Sequence, residues 1–192
     1  MFYSALNLPS YLLQAIEYAN RVLEKQNAIL HQIAEKNHLR VLEAFQKYKV
    51  STYHLTGTTG YGLGDSGRDV LDKVTAFIMG TEKAIVRHQF VSGTHAIASA
   101  LYGILRPGDH FISVTGLPYD TLQQVIGINT KLPGSLADLG ISFDIVPLDD
   151  NDNIQNELVD AYIKPNTKLF IIQRSKGYEW RNSISISEIE KF

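Results

Sequence analysis

The stretch His88-Gln-Phe-Val-Ser92-Gly93-Thr94-His95-Ala96-Ile97-Ala98 decides how the rest of the chain reads. It leads from an apolar segment, Lys83-Ala-Ile-Val-Arg87, through a turn of small residues into a run with helical spacing. A strand that gives way to such a turn and then to a helix leaves the helix's first N–H groups without intrahelical partners. The helix dipole then favours an anion at that point. Glycine at position 93 lets a phosphate come close to the backbone, and Ser92 and Thr94 can add hydroxyl donors. The same residues also suit an ordinary helix cap, with Ser92 or Thr94 as the capping residue, and both readings stay open from this motif alone.

Downstream, strand and helix patterns alternate. The spacing predicts a helix over Thr94 to Leu105, a strand over Phe111 to Thr115, a helix near Leu122 to Ile126 and a strand over Ile141 to Val146. A helix over Ile154 to Ile163, a strand over Lys168 to Gln173 and a helix from near Ser187 complete the series. This order indicates an α/β fold with a mainly parallel sheet and helices on both faces. Ligands of such sheets bind beyond the carboxyl ends of the strands, so the residues just after Arg87, Thr115 and Gln173 carry most weight. After the turn Leu105-Arg-Pro-Gly-Asp-His110, the second strand delivers Gly116-Leu-Pro-Tyr119-Asp-Thr121 to that end. Tyr119 can lay its ring on a flat heteroaromatic ligand, or it is simply a core or surface tyrosine.

Upstream, Ser10 to Lys49 contains neither glycine nor proline and reads as a long helix and a shorter one. Their joint is expected at Glu35-Lys36-Asn37-His38, with Asn37 capping the second. Such an arm packs on a body or on a partner subunit. The segment from Ser51 to Gly67 holds five glycines in seventeen residues, a loop that needs positive φ or the close approach of another backbone or a ligand. A helix from Arg68 to Met79 follows, closed by Gly80. The expected organisation is therefore a helical arm (1–50), a glycine-rich loop with a connecting helix (51–80), and an α/β body (81–192). Gly62-Leu-Gly64-Asp-Ser-Gly67 matches a dinucleotide fingerprint literally, but that motif needs a preceding strand and an acid after the next strand. Glu82 comes before the next predicted strand, not after it.

Composition narrows the function. The chain has 18 basic and 20 acidic residues, a net charge of −2, and no basic cluster of the kind that binds nucleic acid. No apolar run approaches the ~18 to 20 residues of a membrane span, and the start of the chain has no basic or apolar leader, so a cytoplasmic protein is expected. The absence of cysteine excludes thiolate metal sites and cysteine nucleophiles. The six histidines form no metal-ligand pattern. Chemistry must come from other side chains, from backbone donors or from a cofactor.

Four motifs together resemble a known family: Ser92-Gly-Thr-His-Ala-Ile, Leu105-Arg-Pro-Gly-Asp, Pro118-Tyr-Asp-Thr, and Thr167-Lys-Leu-Phe-Ile-Ile-Gln-Arg-Ser-Lys-Gly-Tyr178. They are similar to the pyridoxal-phosphate enzymes of fold type I. More narrowly, they resemble the methionine gamma-lyase-like group known as aluminium resistance proteins, relatives of the cystathionine lyases and synthases. The arm and the loop from Thr59 to Asp69 share the likeness, which covers essentially the whole chain. The resemblance implies pyridoxal 5'-phosphate as cofactor, carbon–sulfur bond cleavage in a small sulfur amino acid, and a homo-oligomeric parent with neither nucleic acid nor membrane as partner. It also implies roles. Ser92, Gly93 and Thr94 hold the phosphate, and Tyr119 stacks on the ring and aids proton transfer. Tyr61 and Arg68 reach the phosphate of a neighbouring subunit, and Arg174 and Ser175 meet the substrate or the ring. In the family the acid that faces the pyridine nitrogen and the Schiff-base lysine both come later in the chain. The sequence therefore reads as an amino-terminal portion, inactive alone, in which Lys176 arrives too early to be that lysine. Two other readings are carried: a non-catalytic phosphate-ligand module or inactive remnant, and a Rossmann-type dehydrogenase dependent on Gly62 and Gly64.

Overall fold

A computed structural model describes residues 7–58, 64–130 and 132–192 of the chain. They fall into two compact units, Met1–His88 and Gln89–Phe192.

The first unit is helical. Helices α1 (Ser10–Val22) and α2 (Glu24–Lys47) are followed by a short 3-10 turn at Thr52–Leu55 and by α3 (Ser66–Met79). The break between α1 and α2 is at Leu23, whose backbone leaves helical geometry at φ −91°, ψ 1°. This corrects the expected joint at 35–38. Glu35, Lys36, Asn37 and His38 are exposed residues in mid-helix, and glutamate and lysine on a solvated face support a helix more than they interrupt it. The arm buries little of its own apolar surface. No residue of α1 is buried, and of α2 only Ala44 is, while Ile29, Leu30, Ile33, Leu39 and Leu42 stay exposed. Where α2 meets α3, Tyr48 packs edge-on against Phe77, with ring centres 6.2 Å apart, and Lys47 Nζ stands 4.4 Å from the centre of the Phe77 ring.

The glycine-rich loop has local causes. Gly64 takes φ +89°, and at Gly67 a side chain would place its Cβ 2.7 Å from the backbone oxygen of His54. Helix α3 ends on Gly80 in the left-handed conformation, as its sequence predicts. The turn before the loop is 3-10 and not a strand, so the strand–glycine–helix unit of a dinucleotide fold is absent among the described residues. Gly62 lies outside those residues.

A second expectation also needs correcting. Lys83 to Arg87 pairs with no strand among the described residues. The Asp72 carboxylate takes the Val86 N–H at 2.8 Å and the Arg87 guanidinium at 2.7 and 2.8 Å. An extended segment becomes a strand only when a neighbour takes its ladder hydrogen bonds, and here a side chain takes one of them.

The second unit carries the sheet. In chain order its elements are α4 (Gly93–Ile104), β1 (His110–Ser113), α5 (Asp120–Ile126), β2 (Ser142–Ile145), α6 (Asn156–Tyr162), β3 (Thr167–Ile171) and α7 (Ile186–Ile189). All pairings are parallel and the spatial order is β2-β1-β3, which makes β1 central, and every one of its residues is buried. Side chains alternate across a strand. Phe111 packs into a cluster with Leu101, Leu105, Leu122 and Ile126 of the α4 and α5 side, while Ile112 joins Val114, Val146 and Val159 of the α6 side. The predicted α/β fold, with helices against both faces of a parallel sheet, is what forms.

At the amino ends of the strands, buried His110 has both ring nitrogens engaged: Nδ1 is 2.7 Å from Thr167 Oγ1 and Nε2 is 3.0 Å from Asp144 Oδ2. Lys164 Nζ completes the cluster at 2.5 Å from Asp144. Burial on its own would raise the Asp144 carboxyl, but the Lys164 ammonium and then His110 outweigh it and hold the group below the usual carboxylate range.

Two outcomes are expected. Gly67→Ala should lower unfolding stability by about 1–3 kcal/mol in urea titration, because the new Cβ meets backbone and not a flexible side-chain end. The Asp144 pKa is lowered in the fold, so its contribution is complete above the unfolded carboxyl value near about 3.9 and is lost as pH falls through the lower folded value. The gap in urea midpoint between the wild type and Asp144→Asn should therefore narrow as the pH is taken from about 6 down to about 3.

Candidate functional site

The carboxyl ends of the strands bring the predicted residues of the second unit together. Ser92 is the N-cap of α4, in extended backbone, and its Oγ accepts the His95 N–H at 3.1 Å. The capping reading of this motif is therefore realised. It does not use up the site, because among the described residues the N–H groups of Gly93 and Thr94 meet no acceptor. A Cβ built on Gly93 has nothing within 4 Å. Glycine here is not required by close packing of the chain, and its φ is not positive. What its missing side chain leaves is open space at a helix start where, among the described residues, two N–H donors have no acceptor.

A second line of groups arrives from β1. Thr115 and Gly116 leave the strand, and Tyr119 caps α5. The half-buried Tyr119 ring packs on the Phe111 cluster, and its hydroxyl donates to Thr94 Oγ1 at 3.2 Å. Thr121 Oγ1 lies 2.9 Å from the same Thr94 oxygen. Three hydroxyls thus meet at the start of α4, and Thr94 joins the two predicted groups of residues.

The third line comes from β3. Gln173 N–H donates to Thr115 Oγ1 at 2.9 Å, its side-chain Oε1 accepts the Tyr119 N–H at 2.9 Å, and its Nε2 reaches the Ser175 carbonyl at 3.2 Å. Arg174 is exposed and holds the Ile184 carbonyl through Nε at 2.9 Å. Arg181, with only 9% of its side chain exposed, donates to the Ser175 carbonyl at 2.7 Å. Lys176 and Tyr178 line a groove of about 400 Å³ together with Tyr119, Asp120, Gln123 and Gln173.

The remaining predicted residues belong to the first unit. Tyr61 lies outside the described residues. Arg68 is engaged at the head of α3, where its Nε donates to Asp65 at 2.6 Å, while Asp65 also accepts the Thr58 hydroxyl at 2.7 Å and the Arg68 N–H at 3.1 Å. The Thr58 hydroxyl, the Arg68 N–H and then the guanidinium hold the Asp65 carboxyl far below the usual range, against a smaller opposing effect of burial. Sequence reasoning missed Thr121, Gln173 and Arg181. All three sit in or beside the quoted motifs, but a hydroxyl, an amide and a guanidinium signal nothing until their partners are known.

Fold and site define a parallel α/β protein with a group of polar side chains at the carboxyl edge of its sheet, around a hydroxyl-lined helix start. The chain belongs to the methionine gamma-lyase family, whose model matches residues 12–192. It is 47% identical over 163 residues to the uncharacterized protein YnbB of Bacillus subtilis (strain 168), a match covering 84% of this chain and 39% of that protein. A solved carbon–sulfur lyase involved in aluminium resistance from Clostridium novyi NT superposes with a TM-score of 0.89 at 41% identity, over 99% of this chain and 46% of that one. A proposed cystathionine beta-lyase involved in aluminium resistance from Listeria innocua gives 0.88 at 45% identity, over 93% and 44%. The chain thus spans less than half the length of these relatives.

Ser92→Ala removes the cap of α4 and should cost about 1 kcal/mol in stability, read as a lower urea midpoint with an unchanged slope.

Proposed function

We propose that this chain forms the phosphate-holding and ring-stacking part of a pyridoxal-phosphate-dependent carbon–sulfur lyase that acts on a small sulfur amino acid. The observation that carries the reading is the open space at Gly93, at a helix start where the Gly93 and Thr94 N–H groups meet no acceptor among the described residues and where the Thr94, Tyr119 and Thr121 hydroxyls meet. A phosphate ester needs such a set: backbone donors at a helix start, hydroxyls, and no side chain in the way. Family membership and the lyase names of the solved relatives support the same chemistry.

When bound, the cofactor supplies an electron sink for the charge left as the substrate's α-proton and sulfur substituent depart. The chain's own residues do the rest of the binding work. Ser92, Gly93 and Thr94 hold the phosphate. Tyr119 offers its ring face to the flat heterocycle, and its hydroxyl, already sharing a proton with Thr94, is placed to hold or pass one. Arg174 has its Nε on Ile184 and presents its terminal nitrogens to a substrate carboxylate, with Ser175 beside it. Tyr61 and Arg68 serve a neighbouring subunit in a homo-oligomer of the cytoplasm. On this reading Lys176 stands too early in the chain to be the Schiff-base lysine, so the chain holds the cofactor without a covalent bond and has no lyase turnover of its own.

Two measurements test this. Pyridoxal phosphate should bind the chain in equilibrium dialysis, and borohydride should fix no stoichiometric adduct to a lysine; a full adduct on Lys176 would overturn the non-covalent role. Gly93→Ala should leave the fold intact or slightly more stable, since the new methyl meets nothing and alanine favours a helix, yet weaken cofactor binding by about tenfold or more. Wild-type chain that takes up no pyridoxal phosphate would sink the proposal.

A further inference from the structure

The loop that leaves β3 carries Arg174, Ser175, Lys176, Tyr178 and Trp180 and has little packing to hold it: Tyr178 and Trp180 are fully exposed. Its ends are paired by Arg174 and Ile184, where the Ile184 N–H donates to the Arg174 carbonyl at 3.0 Å and Arg174 Nε to the Ile184 carbonyl at 2.9 Å, and between them one guanidinium gathers the backbone. Arg181 Nε donates to Glu179 Oε2 at 2.7 Å, Nη1 to the Asn182 carbonyl at 2.9 Å, and Nη2 to the Ser175 carbonyl at 2.7 Å and the Gln173 carbonyl at 3.3 Å. Backbone from both ends of the loop is gathered around a group with 9% of its side chain exposed. The Ser175 carbonyl also accepts Gln173 Nε2, and the other end of that amide holds the Tyr119 N–H. A continuous path of hydrogen bonds therefore runs from Arg181 through Ser175 and Gln173 to the backbone of Tyr119.

We propose that Arg181 is a positioning residue which, through the Gln173 amide, fixes the start of α5 and hence the Tyr119 ring beside the Thr94 hydroxyl. It touches no ligand. Its planar fork sets the Ser175 carbonyl, that carbonyl orients the Gln173 side chain, and the amide fixes where the chain turns at Tyr119. Lysine cannot replace it, because one ammonium cannot span carbonyls at both ends of the loop and the Glu179 carboxylate together. The structural link needs no cofactor; only its consequence for binding rests on the pyridoxal-phosphate reading.

The test reads two amides in hydrogen exchange, using the 192-residue chain. The Tyr119 N–H bonds to the Gln173 side chain, whereas the Val114 N–H bonds to the Ile171 carbonyl within the sheet at 3.1 Å and serves as control. In Arg181→Met and in Arg181→Lys, Tyr119 exchange should accelerate by about tenfold or more while Val114 keeps its wild-type rate. Gln173→Ala should reproduce the same pattern. Unchanged Tyr119 exchange overturns the proposal, and so does loss of Val114 protection in both Arg181 variants, which would make Arg181 a general stabiliser. The second readout is pyridoxal phosphate affinity, followed by quenching of Trp180, the only tryptophan. Arg181→Lys should weaken it by about fivefold or more. A variant with faster Tyr119 exchange and unaltered affinity refutes the consequence for the site. If wild type binds no cofactor, the reading of function fails while the amide rates still decide the positioning role.

Discussion

The structure depends on β1 lying between two parallel neighbours with both of its faces covered. A central parallel strand gives its hydrogen bonds to both sides and its side chains to two separate apolar clusters, which fixes its register from Phe111 to Ser113, while the pairing with β3 shifts by one residue between His110 and Phe111. Parallel pairing sends every strand out at the same end. The exits of β1 and β3 therefore stand side by side, and Thr115 can meet Gln173 although the two are far apart in sequence. The same constraint places the other polar cluster, His110 with Asp144, Thr167 and Lys164, at the opposite end, where it closes the entry to the sheet. One edge of the sheet is sealed by satisfied polar groups, and the other keeps donors free.

The site is assembled in layers of increasing sequence separation. The α4 cap is local: Ser92 serves the amide three residues on. The hydroxyl cluster joins α4 to the β1 exit through Thr94, Thr121 and Tyr119, and the Gln173 amide joins that exit to β3. Each layer holds the one before it. Burial of polar groups is tolerated because the partners are present: among the described residues no buried side-chain nitrogen or oxygen lacks a hydrogen bond.

Much of this was legible in the sequence, and the exceptions have physical causes. Alternation of strand and helix patterns, and the capping signal at Ser92, come from short-range chemistry that the residues themselves carry, and the α/β fold followed. The reading failed where the outcome depended on something distant. Lys83 to Arg87 has the composition of a strand, but a strand requires a partner, and here Asp72 intervenes. The break in the helical arm falls at Leu23, where no breaker residue stands, while the polar run at 35–38 simply faces water. The loop from Ser51 to Gly67 reads as needing positive φ or a close approach without saying which glycine meets which need; Gly64 takes the first and Gly67 the second, and the approaching group, His54, is not readable from the sequence. The part played by Gln173 was hidden for the same reason, since an amide is informative only once both of its ends have partners.

The empty space at Gly93 also bears on how the protein can change over generations. At most glycines that matter, a substitution is punished by misfolding, so the residue persists whether or not the protein is used. Gly93 is different: its neighbourhood accepts a methyl without a clash, and alanine is the better helix former. Among the described residues, nothing in the packing requires glycine there. A lineage that stopped using the pocket would be free to place alanine here, so this is a position where loss of use can register in the sequence before any loss of fold.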